Sequence, residues 1–127
     1  MRVYIADDNE EFSLLLRRIA EGEGCLVTTC LNGEELFAEV SSESGPALLI
    51  VDINMPKLDG IEVIRKLAAV ARRMRVRFIT GGPDSSAIAA RMIAAANGID
   101  AGRFIMKPIS VDDFKEVLRN EARLLLE

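Results

Sequence analysis

The sequence predicts an α/β domain: a parallel sheet with helices on both faces. Three observations predict it. Apolar runs of four to six residues alternate with segments of helical period, the pattern of repeated βαβ units. The runs are nearly continuous in apolar character, as strands covered on both faces require. Four of them end on a chemically related set: Val3 to Ala6 on Asp7-Asp8, Ala47 to Val51 on Asp52, Val76 to Ile79 on Thr80, and Phe104 to Met106 on Lys107. In parallel strands these endings meet at one sheet edge, the edge where open α/β sheets bind ligands.

The elements follow in order. Strand one covers 2–6 and leads into a helix from about Asn9 to Glu21, with Phe12, Leu15, Leu16 and Ile19 on one stripe and Gly22 and Gly24 stopping it. Strand two lies near 25–31. Helix two starts at Asn32, whose side chain can cap the amide three residues on while Glu35 reaches back. Gly45-Pro46 ends the next loop, and strand three spans 46–51. Helix three follows its cap Asp59 and turns Ile61, Val63, Ile64 and Leu67 inward. Strand four lies at 76–80. Helix four carries Ala87, Ala89, Ala90, Ala94, Ala95 and Ala96, which suit close packing on its own sheet or a docking face. Strand five is expected at 103–106. Helix five begins at Ser110, with Asp112 and Asp113 where the dipole favours negative charge, and runs nearly to Glu127.

The 127 residues fit one domain, expected over 1–127, with no effector domain expected within them. Half the residues are hydrophobic and 28% charged, which argues against disorder. A net charge of −4 disfavours direct nucleic-acid contact or an anionic membrane surface. Arg72, Arg73, Arg75 and Arg77 are the one basic cluster and read as helix-terminal cations and solvated edges. No apolar run approaches the ~20 residues of a membrane helix and Met1 leads straight into a strand, so the expected location is cytoplasmic. Cys25 and Cys30 lie too far apart along a strand to bridge and read as reduced core residues. The chain has no histidine, which removes Ser-His-Asp catalysis and any internal phosphohistidine.

The strand-end chemistry is specific only in combination. A lone Asp-Asp pair is ordinarily a solvated turn, a strand-end Thr structural, a Lys before Pro a loop charge. Together, Asp7, Asp8 and Asp52 form three carboxylates that repel unless a cation neutralises them, which favours magnesium or manganese in an oxygen site. Asp52 closes the most apolar strand, so it is either a metal ligand or a nucleophile. An aspartate can attack phosphorus to give an acyl phosphate. Lys107 supplies a mobile positive charge able to pair with a carboxylate at rest and a phosphoryl oxygen after modification. Thr80 supplies a hydroxyl donor.

With these residues in this order, the chain resembles the response-regulator receiver domains of two-component phosphorelay systems, of the single-domain, chemotaxis-regulator-like kind. The matching residues are Asp7-Asp8 after Arg2-Val-Tyr-Ile-Ala, Asp52 before Ile53-Asn-Met-Pro-Lys-Leu-Asp-Gly60, Thr80, and Lys107-Pro108. The resemblance implies a flavodoxin-like (βα)5 three-layer sandwich with sheet order 2-1-3-4-5. It implies that Asp52 accepts a phosphoryl group from a histidine kinase or histidine phosphotransfer protein and thereby switches binding of a downstream protein, as a monomer or phosphorylation-dependent dimer. Such a chain is no enzyme beyond its own phosphorylation and dephosphorylation. Asp8 and Asp52 would bind magnesium directly, Asp7 through water, and Asn54 through its backbone carbonyl. Thr80 and Phe104 would form the switch, with Phe104 turning toward the space Thr80 vacates. Lys107-Pro108 would be a cis peptide.

The chain departs from that pattern between Thr80 and Lys107, where it is several residues longer and reads Gly81-Gly82-Pro83 and Asn97-Gly-Ile-Asp-Ala-Gly-Arg-Phe104. Gly82 and Asn54 offer little cover to a phosphoryl group, so its lifetime is expected to be limited by water. Two other readings stay open: a receiver-fold scaffold that is never phosphorylated, and a magnesium-dependent phosphohydrolase using Asp52 on external substrates. The second lacks an evident second acid and substrate cap.

Overall fold

The computed structural model describes residues 1–53, 60–81 and 85–126, the side chains at 60, 61, 85 and 86 excepted. Expectations for Asn54, Asp59, Gly82 and Pro83 fall outside the described residues.

The element order is β1 (Arg2–Ala6), α1 (Glu10–Gly22), β2 (Leu26–Cys30), α2 (Gly33–Ser41), β3 (Ala47–Asp52), α3 (Gly60–Leu67), β4 (Met74–Thr80), α4 (Ser85–Ala96), β5 (Asp100–Ala101), β6 (Ile105–Met106) and α5 (Val111–Leu126). All pairings are parallel, in the order β2-β1-β3-β4-β5, with β6 also on β4. This is the 2-1-3-4-5 sheet of the flavodoxin-like fold.

Alternation along the strands divides the core in two. Tyr4, Leu49, Val51, Val76 and Phe78 face one side, where Leu36 and Val40 of α2, Val63, Ile64 and Leu67 of α3, and Ala87, Ala90 and Ala94 of α4 cover them. Val3, Ile5, Leu48, Ile50 and Ile79 face the other, under Leu16 and Ile19 of α1 and Phe114, Leu118 and Leu125 of α5. The alanines at 87, 90 and 94 are therefore spent on packing against the sheet. Leu15, expected on the inward stripe of α1, is exposed; Ser13, Leu16, Ile19 and Ala20 form the buried face and place it to one side.

Local chemistry sets the helix ends. Asn9 caps α1 by accepting from the Phe12 N–H at 3.1 Å, and the chain leaves through Gly24 at φ 86°, a left-handed geometry that suits glycine. Asn32 caps α2 by accepting from the Glu35 N–H at 2.9 Å, while Glu35 Oε2 accepts from the Leu31 N–H at 2.7 Å. The Ser110 hydroxyl oxygen accepts from the Asp113 N–H at 3.1 Å and starts α5.

Strand five is broken in two, a departure from the single strand expected at 103–106. The Gly102 N–H still bonds the Val76 carbonyl at 3.0 Å, but the Arg103 carbonyl accepts from the Arg77 guanidinium at 3.2 Å. A side chain thus replaces a ladder amide, and pairing resumes only at Ile79↔Ile105 and Thr80↔Met106.

The same region corrects the reading of the basic cluster. Arg75 and Arg77, two apart on β4, are not solvated edges: both pair with Glu121 of α5, whose side chain has no exposure. Arg72 donates to the Tyr4 hydroxyl oxygen at 2.9 Å and to the Val40 carbonyl at 3.0 Å. The signal in the sequence was Glu121 itself, an acid at a core position of the Phe114, Leu118, Leu125 stripe.

Candidate functional site

Register brings the predicted strand endings together. Ala6 stands beside Val51 and Cys30, and Asp52 beside Ile79, so residues following β1, closing β3 and closing β4 share one edge. The Lys107 N–H bonds the Thr80 carbonyl at 2.9 Å, which fixes the β6 ending against the β4 ending. The peptide between Lys107 and Pro108 is cis.

Asp7, Asp8 and Asp52 each place a carboxylate oxygen so that the three lie within 4.8 Å of one another. Asp7, Asp52 and Thr80 are buried and Asp8 is exposed. Asp7 is held from several directions: its N–H bonds the Cys30 carbonyl at 3.1 Å, its Oδ1 accepts from the Asn9 N–H at 2.9 Å, and its carbonyl accepts from the Ser13 hydroxyl at 3.3 Å. Lys107 Nζ lies 2.8 Å from Asp7 Oδ2 and 3.6 Å from Asp52 Oδ2. The first contact is a close ion pair, and it is the contact made by Asp7 Oδ2, whose partner oxygen Oδ1 is taken by the Asn9 N–H. Burial disfavours the ammonium, but Asp7 and Asp52 outweigh it and hold the Lys107 pKa above its ordinary value.

Three carboxylates with hard oxygen donors within 4.8 Å of one another and of unlike exposure, two buried and one exposed, fit a small divalent cation that keeps part of its water shell. Asn54, the fourth expected ligand, lies outside the described residues.

Phe104 is half-buried, with the Arg91 guanidinium 5.4 Å from its ring centroid. It lines a groove of about 470 Å³ between α4 and β5, together with Ile88, Met92 and Ala101. One contact was missed by the sequence reading: Lys107 Nζ lies 4.7 Å from the centroid of the Phe12 ring.

A doubly wound domain with an acid cluster and a lysine at the carboxyl edge is a receiver-type module, and comparison with known proteins agrees. Residues 3–119 match the response regulator receiver domain family, and the chain belongs to it. The sensory/regulatory protein RpfC of Xanthomonas campestris is 29% identical over 109 residues; the match takes in 86% of this chain but only 15% of RpfC. The sporulation initiation phosphotransferase F of Bacillus subtilis is 24% identical over 118 residues, 93% of this chain and 90% of that protein. A response regulator crystal structure from Colwellia psychrerythraea superposes with a TM-score of 0.75 at 27% identity, covering 96% of both chains. Receiver domains are signalling modules of two-component systems that bind magnesium at an acidic pocket and interact with histidine kinases or phosphotransfer proteins. No helix among the described residues is long and apolar enough to cross a membrane.

Proposed function

We propose that Asp52 accepts a phosphoryl group from the histidine of a histidine kinase or histidine phosphotransfer protein, and that the output is a change in partner binding. The observation that carries this reading is the Asp7, Asp8 and Asp52 cluster with Lys107 Nζ 2.8 and 3.6 Å from two of its members. The donor histidine lies outside these 127 residues, which contain none. An Asp52 carboxylate oxygen attacks phosphorus, a P–O bond forms and the donor P–N bond breaks. The electron pair stays on the imidazole nitrogen, and the ring departs neutral because its other nitrogen carries a proton. Lys107 is placed to pair with a phosphoryl oxygen once it arrives, and Thr80 to donate its hydroxyl.

Magnesium, or manganese in its place, supplies neutralisation of phosphoryl and carboxylate charge when bound. Asp8 and Asp52 would hold it directly, Asp7 through water, and Asn54 through its carbonyl. The chain catalyses only its own phosphorylation and dephosphorylation. Phosphorylated Asp52 draws Thr80 inward and Phe104 turns into the space released, a shift between two packed states. On this reading the chain acts as one domain, 1–127, through protein contacts in the cytoplasm, as a monomer or a phosphorylation-dependent dimer; the Bacillus subtilis phosphotransferase, 90% covered by the match, is a relative of similar length.

Intact mass after incubation with magnesium and a small phosphoryl donor tests this, for wild type beside Asp52→Asn, each with and without chelator. The expected result is gain of one phosphoryl group by wild type alone, and only with magnesium. No gain in either chain would leave the scaffold reading.

A further inference from the structure

A flexible lysine stem ends in a point charge, and an ammonium serving two states of a site needs restraint that does not compete with the incoming group. In the unmodified site Lys107 Nζ is drawn by two carboxylates, at 2.8 and 3.6 Å. A further carboxylate would restrain it more but would add negative charge where a phosphoryl anion must arrive. An aromatic face attracts an ammonium without adding net charge. Phe12 supplies one: its ring centroid is 4.7 Å from Nζ.

The local sequence fixes that ring. The Phe12 N–H is bound to the Asn9 cap at 3.1 Å, which sets the first turn of α1 directly after the Asp7-Asp8 ending. Leu16, one turn further, is fully buried, and Phe12 packs partly against the same core. The ring is thus anchored in the core on one side and faces the ammonium on the other.

We propose that Phe12 is a positioning residue for Lys107: its ring holds the ammonium at the carboxylate cluster, ready for a phosphoryl group on Asp52. This rests on Asp52 being the acceptor. A leucine or methionine at 12 keeps apolar packing and loses the π face; a tryptophan keeps both. A purely structural role predicts the opposite grouping, with the aliphatic variants tolerated and the larger tryptophan worst.

The test compares wild type, Phe12→Leu, Phe12→Met and Phe12→Trp in two measurements. The first is the NMR shift of the Lys107 ε-methylene protons, which a ring beneath them moves upfield. The second is the rate of phosphoryl gain from phosphoramidate with magnesium, followed by intact mass; there the Asp52 P–O bond forms, the P–N bond breaks, and ammonia leaves with its electron pair. The expected result is an upfield shift in wild type and Phe12→Trp that is absent in the folded aliphatic variants, whose rates fall roughly fivefold. An unmoved Lys107 shift, or wild-type rates in Phe12→Leu and Phe12→Met, would overturn the proposal while leaving Asp52 as acceptor. If wild type itself gains no phosphoryl group, the acceptor reading fails and the proposal with it.

Discussion

Arg77 Nε donates to Glu121 Oε1 at 2.7 Å, joining β4 to α5 through a carboxylate with no solvent exposure. Arg75 reaches the other oxygen of the same group. Burial raises the Glu121 pKa, but the two guanidinium groups outweigh it and hold the carboxyl below its ordinary range. A depressed carboxyl contributes stability above its unfolded pKa of about 4.3 and loses it as pH falls through the folded value. Glu121→Gln is therefore expected to cost about 3 kcal/mol at neutral pH, because it leaves two half-buried cations facing an amide. Urea unfolding of both chains from pH 7 to pH 3 checks this. The gap should begin to close below about pH 4.3, and a gap constant with pH would mean that charge is not its source.

Gly102 lies against the same cluster. A Cβ at 102 would stand 2.8 Å from both Arg77 Cδ and Glu121 Oε1, and in contact with Arg77 Nε. Its φ is not left-handed, so substitution is opposed by contact and not by backbone strain. Gly102→Ala is expected to destabilise by about 1–3 kcal/mol. In a Glu121→Ala background the added methyl meets one neighbour fewer, so the two losses should be less than additive in denaturant midpoints. Full additivity would place the clash elsewhere.

The sequence carried more of the chemistry than of its support. Asp7, Asp52, Thr80 and Lys107 were legible because each terminates an apolar run, and parallel pairing leaves such endings on one edge. The Asn32 and Glu35 caps were legible because capping is local. The split of strand five was not, since it depends on Arg77 reaching across to the Arg103 carbonyl, a contact 26 residues apart in the chain. The Phe12 ring read as core because its helical spacing to Leu16 says nothing of which lysine lies against its free face.

Burial of the thiols makes a separate prediction. Cys30 is 1% exposed, and desolvation pushes its thiol up to about 12; burial raises Cys25 as well. The thiolate is the reactive form, and at pH 8 a thiol of pKa near 12 is ionised only about one part in ten thousand. Iodoacetamide at that pH should label Cys30 only as fast as the chain unfolds, and added urea should accelerate labelling along the unfolding curve. Labelling of native Cys30 at the rate of an exposed peptide thiol would sink this account of the core.

Lys107 and a magnesium ion at the Asp7, Asp8 and Asp52 cluster are expected to compete for the same electrostatic task. With the ammonium 2.8 Å from buried Asp7, metal-free protein already has part of its carboxylate repulsion offset. Lys107→Ala removes that offset, and the metal-free chain is expected to lose about 2 kcal/mol, less than for a fully buried pair because Lys107 is partly exposed. Magnesium should then stabilise the variant more than wild type, since the ion meets a site one positive charge poorer. Linkage makes this visible as a larger rise in melting temperature at equal magnesium concentration, while phosphoryl gain by the variant is expected to fall at least tenfold, as the proposed pairing of Lys107 with a phosphoryl oxygen requires. Thermal melts with and without magnesium check the first expectation, and intact mass checks the second. A magnesium-induced rise no larger in Lys107→Ala than in wild type would show that the lysine and the ion do not share these carboxylates.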